Sequence, residues 1–200
     1  MHSGFNTFLT ALKGGVLNPS ARITLNGSDI TGKRTRALGV RAFRGSGGAY
    51  LGADRLGGSL APELPLFESL IIHVYRRARR GLFLDTRKLN AWCGAIMKRA
   101  KIERPVRDKA SSLSGGMIQR VLLAREFAED ASLVVLAEPG SGLDQANRSL
   151  LEDELKAIAD RGAAALLFST DMEELVSVAD EILVLKYGTL ETSAGVGNEI

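Results

Sequence analysis

Cysteine is nearly absent from this chain, Cys93 being the single one in 200 residues. That excludes an internal disulfide framework and fits a reducing compartment. Long apolar runs are missing too. No uninterrupted stretch approaches the ~18–20 residues that a membrane span needs, and positions 1–15 lack the apolar core of a signal peptide. Neither sign of charge dominates, since 26 Lys and Arg stand against 23 Asp and Glu for a net +3. A surface of that kind is soluble and is not built for nucleic acid. Histidine is scarce as well, and neither His2 nor His73 sits in a recognisable partner motif. Cys93 therefore reads as a core residue rather than a nucleophile, with Leu89, Trp92, Ile96 and Met97 at helical spacing around it. Together these absences predict a cytosolic chain, free to dock on something membrane-bound.

What is present is enough apolar content, 45%, to bury a core, in a length that favours one domain. One local charge cluster stands out, Arg76, Arg77, Arg79 and Arg80 in VYRRARRG. Such a run can touch phosphate or a membrane surface, although a solvated helix end is the favoured reading. The first third is rich in glycine. There ARITLNG (21–27) predicts a strand entering a turn, ALGVRAF (37–43) a further strand, and RGSGG (44–48) a flexible loop. From Pro65 the period becomes helical. LFESLIIHVYRRARR (66–80) has an apolar face at Leu66, Leu70, Ile71 and Val74, and DTRKLNAWCGAIMKRAKI (85–102) follows with Asp85 as N-cap.

The last ninety residues alternate. An amphipathic helix starting near Ser114 precedes SLVVLAEPG (132–140), a buried-strand pattern. The helix 145–162 turns Leu150, Leu151, Leu155 and Ile158 inward and stops at Gly162. AAALLFS (163–169) reads as a second buried strand, Thr170 and Glu173 as a capping box, and EILVLKYG (181–188) as a third strand. Strand–helix alternation of this kind predicts an α/β fold with a parallel sheet covered on both faces.

Ligands of such sheets gather at the carboxyl ends of the strands. Glu138, directly after an apolar run, stands where a general base would polarise water, and equally where an acid would cap a turn. Ser114, Gly115 and Gly116 open a helix whose N-terminal N–H groups carry partial positive charge. Two residues without Cβ let an anion come close there, and Ser114 adds a hydroxyl. An ordinary flexible helix start is the alternative.

LSGGMIQRVLLAREFAEDASLVVLAEPGSGLD (113–144) resembles the signature motif, Walker B strand and D-loop of ABC-transporter ATP-binding domains, in order and at the family's spacing. Upstream, AYLGADRLGGSLAPELPLFESL (49–70) is similar to the variant Q-loop region and helical subdomain of the sugar and nucleoside importers, with Gly52-Ala53-Asp54-Arg55 where Pro-Glu-Asp-Arg is usual. LNPSARITLNGSDIT (17–31) is similar to the strand after the family's first helix. The likeness is closest to the second cassette of fused two-cassette importers. It implies a P-loop NTPase-like fold in one domain. Residues 1–48 and 131–200 would form the catalytic core and 49–130 the Q-loop-like segment, helical subdomain and signature helix, with the family's N-terminal strands missing ahead of Met1.

Departures from the family pattern are concentrated in one site. The P-loop position falls at the extreme N-terminus, with Gly4, Asn6 and Thr7 as its remnants, Phe5 where lysine belongs and Asn6 where Ser or Thr belongs. Ala137 replaces the Walker B aspartate and Thr170 the switch histidine. The one formal P-loop match, Gly27 to Gly32-Lys33 followed by Arg34, lacks the final hydroxyl and the long apolar helix that should follow. Phosphoryl transfer depends on positioning and electrostatics, so this chain alone is expected to be inactive or very weak, with Glu138 its only catalytic candidate and no metal ligand assigned.

The resemblance implies that Ser114, Gly115, Gly116 and Gln119 complete an ATP site on a partner cassette, with Asp144 in the D-loop and Mg²⁺ held mainly by the partner. It also implies transmembrane permease subunits and a peripheral position on the inner face of the cell membrane. Two other readings remain, a scaffold or decayed fragment without nucleotide function and an ABC protein acting on nucleic acid. The balanced charge argues against the second.

Overall fold

Turn residues and apolar periodicity cut the chain into short elements. The computed structural model describes residues 22–31, 36–52, 59–72, 74–76, 78–80, 83–128, 130–186 and 189–192. The P-loop remnants Gly4, Phe5, Asn6 and Thr7, the pair Gly32-Lys33 with Arg34, and Asp54 and Arg55 all lie outside the described residues, as do His73 and Arg77. Two compact units result. One comprises Met1–Ala49, Ala131–Val135 and Leu155–Ile200, the other Tyr50–Asp130 and Leu136–Glu154.

In the first unit, β1 (Thr24–Leu25) and β2 (Ser28–Asp29) form an antiparallel hairpin. Its turn residues Asn26 and Gly27 have φ of 50° and 74°, the left-handed pair that an Asn-Gly hairpin turn requires. Ile30 then donates its N–H to the Ile23 carbonyl (3.0 Å) and Thr31 to the Asp29 carboxylate (2.8 Å). The Thr31 hydroxyl and amide, with Arg22 behind them, hold the Asp29 carboxyl down at about 2. The Ile30 and Thr31 amides, which fall inside the formal P-loop match, are committed within the hairpin and are not offered to a phosphate. The helix that comes next has ten residues and three arginines, and is not the long apolar helix of a P-loop. Residues 37–43, read from sequence as a strand, belong to α1 (Arg36–Gly45). Gly39 and Phe43 are buried four apart while Arg41 is exposed, the helical period, and Ala, Leu and Arg favour helix.

The expected flexible loop at 44–48 is only a turn. Gly48 already starts β3 (Gly48–Leu51), and a Cβ at Gly48 would lie 2.4 Å from the Phe43 ring. β3, β6 (Leu133–Ala137) and β7 (Ala164–Phe168) make one sheet in the order β3-β6-β7. Ser132 donates to the Gly47 carbonyl (2.8 Å) and Ala164 to that of Ser132 (2.9 Å), so the strand starts lie side by side, as in a parallel sheet.

β6 is buried from Val134 onward, as expected, whereas β7 is not: Ala164 and Ala165 are exposed. β7 is an edge of the described sheet, which its apolar run alone could not reveal. The strand read at 181–188 does not join this sheet either. β8 (Leu183–Lys186) pairs antiparallel with β9 (Thr189–Thr192). Before it, α6 (Met172–Val178) is capped by Asp171, not Thr170, through the amides of Glu173 (3.1 Å) and Glu174 (3.3 Å).

The second unit is helical. α2 (Leu66–Ile71) is only six residues long, not the fifteen expected. Turns follow it, and Arg79–Arg80 (β4) pairs antiparallel with Phe83–Leu84 (β5). Arg76 thus lies in a turn and Arg79 and Arg80 in a ribbon, not at a helix end. Val74, Ala78 and Leu89 pack beneath it with Phe67, Ile71 and Trp92, and that apolar anchorage outweighs the local helical period. α3 (Thr86–Arg99) has the expected cap, Asp85 accepting from the Lys88 amide at 3.0 Å, and buries Leu89, Cys93, Ile96 and Met97. Burial pushes the Cys93 thiol up to about 11, in keeping with a core role. α5 (Gln145–Asp160) belongs to this unit up to Glu154 and to the first from Leu155 on; it buries Leu151, Leu155 and Ile158, leaves Leu150 half-buried, and is followed by Gly162 at φ 81°.

α4 (Gly115–Phe127) is not amphipathic, because every residue from Val121 to Phe127 is buried. Two of them are charged. Arg125 donates to the Glu126 carboxylate at 3.1 and 3.2 Å and to the carbonyls of Ser59 (2.9 Å) and Ser69 (3.0 Å). Glu126 also accepts from the Tyr50 amide at 3.3 Å. Removing one partner of such a pair strands the other charge, which costs about 3–5 kcal/mol. Arg125→Met and Glu126→Leu should each lower the unfolding free energy in urea by that much, and the double variant by clearly less than their sum. Single losses within about 1 kcal/mol would show that the pair is not a stabilising unit.

Candidate functional site

The helix α4 starts at Ser114, whose backbone is extended and whose hydroxyl accepts from the Met117 amide at 3.4 Å. Leu113, just before it, is buried and fixes the entry of the chain. Ser114 and Gly115 are exposed and Gly116 half-buried. A Cβ built on either glycine would find nothing within 4 Å, and neither has the positive φ that favours glycine. Neither packing nor backbone conformation within the described residues demands glycine here. What remains is a bare, uncrowded helix start with its amides facing outward.

One turn on, the helix becomes a clamp. Gln119 is 1% exposed, and its Nε2 donates to the carbonyl of Pro139. Its Oε1 is buried without a hydrogen-bond partner. Gln119, which the resemblance assigns to the signature with Ser114 and the glycines, is buried and tied to the loop after β6. Arg120 makes the second link, donating to the Asn147 side chain (3.2 Å), which in turn donates to Asp144 (2.8 Å). Asp144 also accepts from the Asn147 amide at 2.9 Å, so it caps α5. Sequence reading missed Asn147, and its position three residues after Asp144 is the capping spacing that would have found it.

Between these two links runs Glu138 to Asp144. Ala137, the last residue of β6, is 2% exposed. Its methyl supplies no oxygen, so this side chain does not fit a role in holding a metal ion or its water shell. Glu138 is partly buried and adopts φ 49°, a left-handed conformation that costs a non-glycine residue energy and recurs at functional turns. Pro139 and Gly140 are buried behind it, and Gly142, at φ 73°, completes the turn. Among the described residues no three His, Cys, Asp or Glu come together as metal ligands. Thr170 belongs to the other unit, exposed between β7 and the Asp171 cap.

The structure thus brings Gln119, Glu138 and Asp144 into one connected segment headed by Ser114, Gly115 and Gly116. Gly115→Ala and Gly116→Ala should each stabilise the isolated chain, by up to about 1 kcal/mol, in urea or thermal unfolding. Destabilisation by either would mean that packing requires the glycine.

Known proteins are similar to this chain in sequence. A family model described as ABC transporter matches residues 3–141. The arabinose import ATP-binding protein AraG 1 of Burkholderia thailandensis is 30% identical over 202 aligned positions, covering 98% of this chain and 39% of that protein. The nucleoside import ATP-binding protein NupA of Lactococcus lactis is 28% identical over 197, covering 94% of the chain and 37% of the relative. The Nod factor export ATP-binding protein I of Rhizobium etli is 34% identical over 130, covering 65% and 40%. The chain therefore spans about two fifths of the length of the curated relatives it matches.

Proposed function

The chain belongs to the ABC transporter family of ATP-binding domains, and from that premise we propose that it serves an importer of the sugar or nucleoside class by completing an ATP site on a partner cassette. Its own site is degenerate. Ser114, Gly115 and Gly116 meet the γ-phosphate of the partner's nucleotide. Gln119 and Arg120 act from behind, fixing the loop from Glu138 to Asp144 against the signature helix. Asp144 belongs to the D-loop of the same composite site.

One observation carries this reading: a helix start bearing two glycines that nothing in the described structure crowds. Glycine there costs helix stability, and an approaching phosphate is what gains from the missing side chains. Within the chain's own site Ala137 offers no oxygen for Mg²⁺, and Phe5 and Asn6 offer neither lysine nor hydroxyl. ATP and Mg²⁺ are accordingly assigned mainly to the partner. Glu138 is a retained base without the groups that would let it act alone. Permease subunits complete the assembly, and the chain sits on the inner membrane surface through them. No described helix is long and apolar enough to cross a membrane.

The test is partner dependence. The chain is mixed with a P-loop-competent cassette whose catalytic glutamate is disabled, and association is followed by light scattering with and without ATP. Association should require ATP and should weaken at least about 10-fold in Ser114→Arg, which sets a long cation at the exposed cap where tight phosphate packing is needed. Absence of ATP-dependent association, or indifference to Ser114→Arg, overturns the donor role in favour of a scaffold without nucleotide chemistry.

A further inference from the structure

A cavity of about 100 Å³ opens beside the signature helix, and the function proposed above makes no use of it. Its lining lies entirely within the second unit, on the end of α3, the later turns of α4 and the first half of α5. The floor is apolar. α4 supplies Leu123, Ala124 and Phe127, and the chain after β6 supplies Leu143 and Leu151, none of them more than 8% exposed. Leu150 borders this floor and is half-buried.

The polar lining is charged, and unevenly so. Arg99, Lys101 and Arg120 stand against a single acid, Glu154. That acid is already taken. Arg99 donates to it through Nε at 3.0 Å and through Nη2, and spends Nη1 on the Phe127 carbonyl at 3.0 Å. Arg120 is not satisfied in this way. Its Nη1 donates to Asn147 at 3.2 Å, while its Nε is buried with no partner at all. Asp144, the next acid along that link, is bonded to Asn147 at 2.8 and 2.9 Å. Lys101 is exposed and holds φ 54°, a helix-end conformation that usually falls to glycine, and its ammonium has no ion pair among the described residues.

We infer that this cavity binds a short-chain monocarboxylate, its apolar tail on the leucine and phenylalanine floor and its carboxylate taken by Arg120 and Lys101. A guanidinium with donors to spare is matched by a carboxylate, whose two oxygens accept charge-assisted hydrogen bonds. Size sets the length of the tail. An apolar cavity of about 150 Å³ takes benzene, so about 100 Å³ suits a chain of about three carbons with the charged end at the opening. Water is a poor occupant, because it needs two to four polar partners and the floor offers none. Inorganic phosphate would meet the cations and leave the apolar floor uncovered. The site uses neither the signature glycines nor a nucleotide, and it needs no partner cassette.

Butyrate is the probe, titrated into the full chain and followed by NMR. Binding should saturate, and the butyrate methyl should show intermolecular NOEs to the methyls of Leu143 and Leu151. Butyramide has the same shape without the charge, and inorganic phosphate has charge without the tail. Each should bind at least about 10-fold more weakly than butyrate. Arg120→Gln should weaken butyrate binding about 10-fold. Leu150→Phe enlarges a half-buried side chain at the cavity and should weaken it by a similar factor with Arg120 still in place. Absence of saturable binding by the parent chain overturns the assignment, as do NOEs to residues elsewhere. Equal affinity for phosphate would make the site one for an inorganic anion, and equal affinity for butyramide would make it an apolar hollow without charge recognition. Either result also overturns the carboxylate assignment, and so does undiminished binding in Arg120→Gln.

Discussion

A helix buried along most of its length has little solvent to hydrate its polar side chains, and α4 carries four of them. Each must find a partner within the protein or leave a donor or acceptor stranded. Arg125 and Glu126 satisfy one another and draw in the Tyr50 amide and the carbonyls of Ser59 and Ser69. Gln119 reaches the Pro139 carbonyl and Arg120 the Asn147 side chain. Most of what is ordered in this unit follows from those commitments. The ends of the segment between Tyr50 and Ser69 are tied to one end of the helix, and the loop after β6 is tied to the other.

That geometry separates two jobs along one helix. Its C-terminal half is fixed by burial and by a charge pair, and its middle turn holds the Glu138–Asp144 loop. Only the first turn, Ser114 to Gly116, is left open to the outside. A rigid body with one bare end suits a surface that presents backbone amides to an anion, because little must be reorganised when the anion arrives. The glycines then accept a cost in helix propensity that the remaining turns offset. The left-handed Glu138 sits at the other end of the same clamp, held there by neighbours that are buried on either side.

The arginine ribbon shows how a run of charge takes its form from pairing. Four arginines in sequence admit many readings, and most such runs are simply solvated. Antiparallel pairing sets Arg79 opposite Leu84 and Arg80 opposite Phe83, in a ribbon where a helix was expected. Nothing in the linear pattern announced this pairing. A helical reading of 66–80 was locally reasonable, and the apolar anchorage of Val74 and Ala78 against Leu89 set it aside.

What the sequence determined by itself was local: the helix start at Ser114, the cap at Asp85, the buried strand Leu133–Ala137 and the inward stripe of α5. Each rests on contacts within a few residues, where capping spacing and apolar period act directly. The family resemblance was legible in the same way, in motifs whose spacing survives in the linear chain. Tertiary structure decided the rest. It made residues 36–45 a helix by burying Gly39 and Phe43, left β7 at an edge, and paired β8 with β9 rather than with the parallel sheet. It also turned Gln119 inward, to a carbonyl twenty residues away. Those outcomes depend on which distant groups a residue meets, and a hydrogen bond or a buried face formed across such distances has no period in the sequence to betray it.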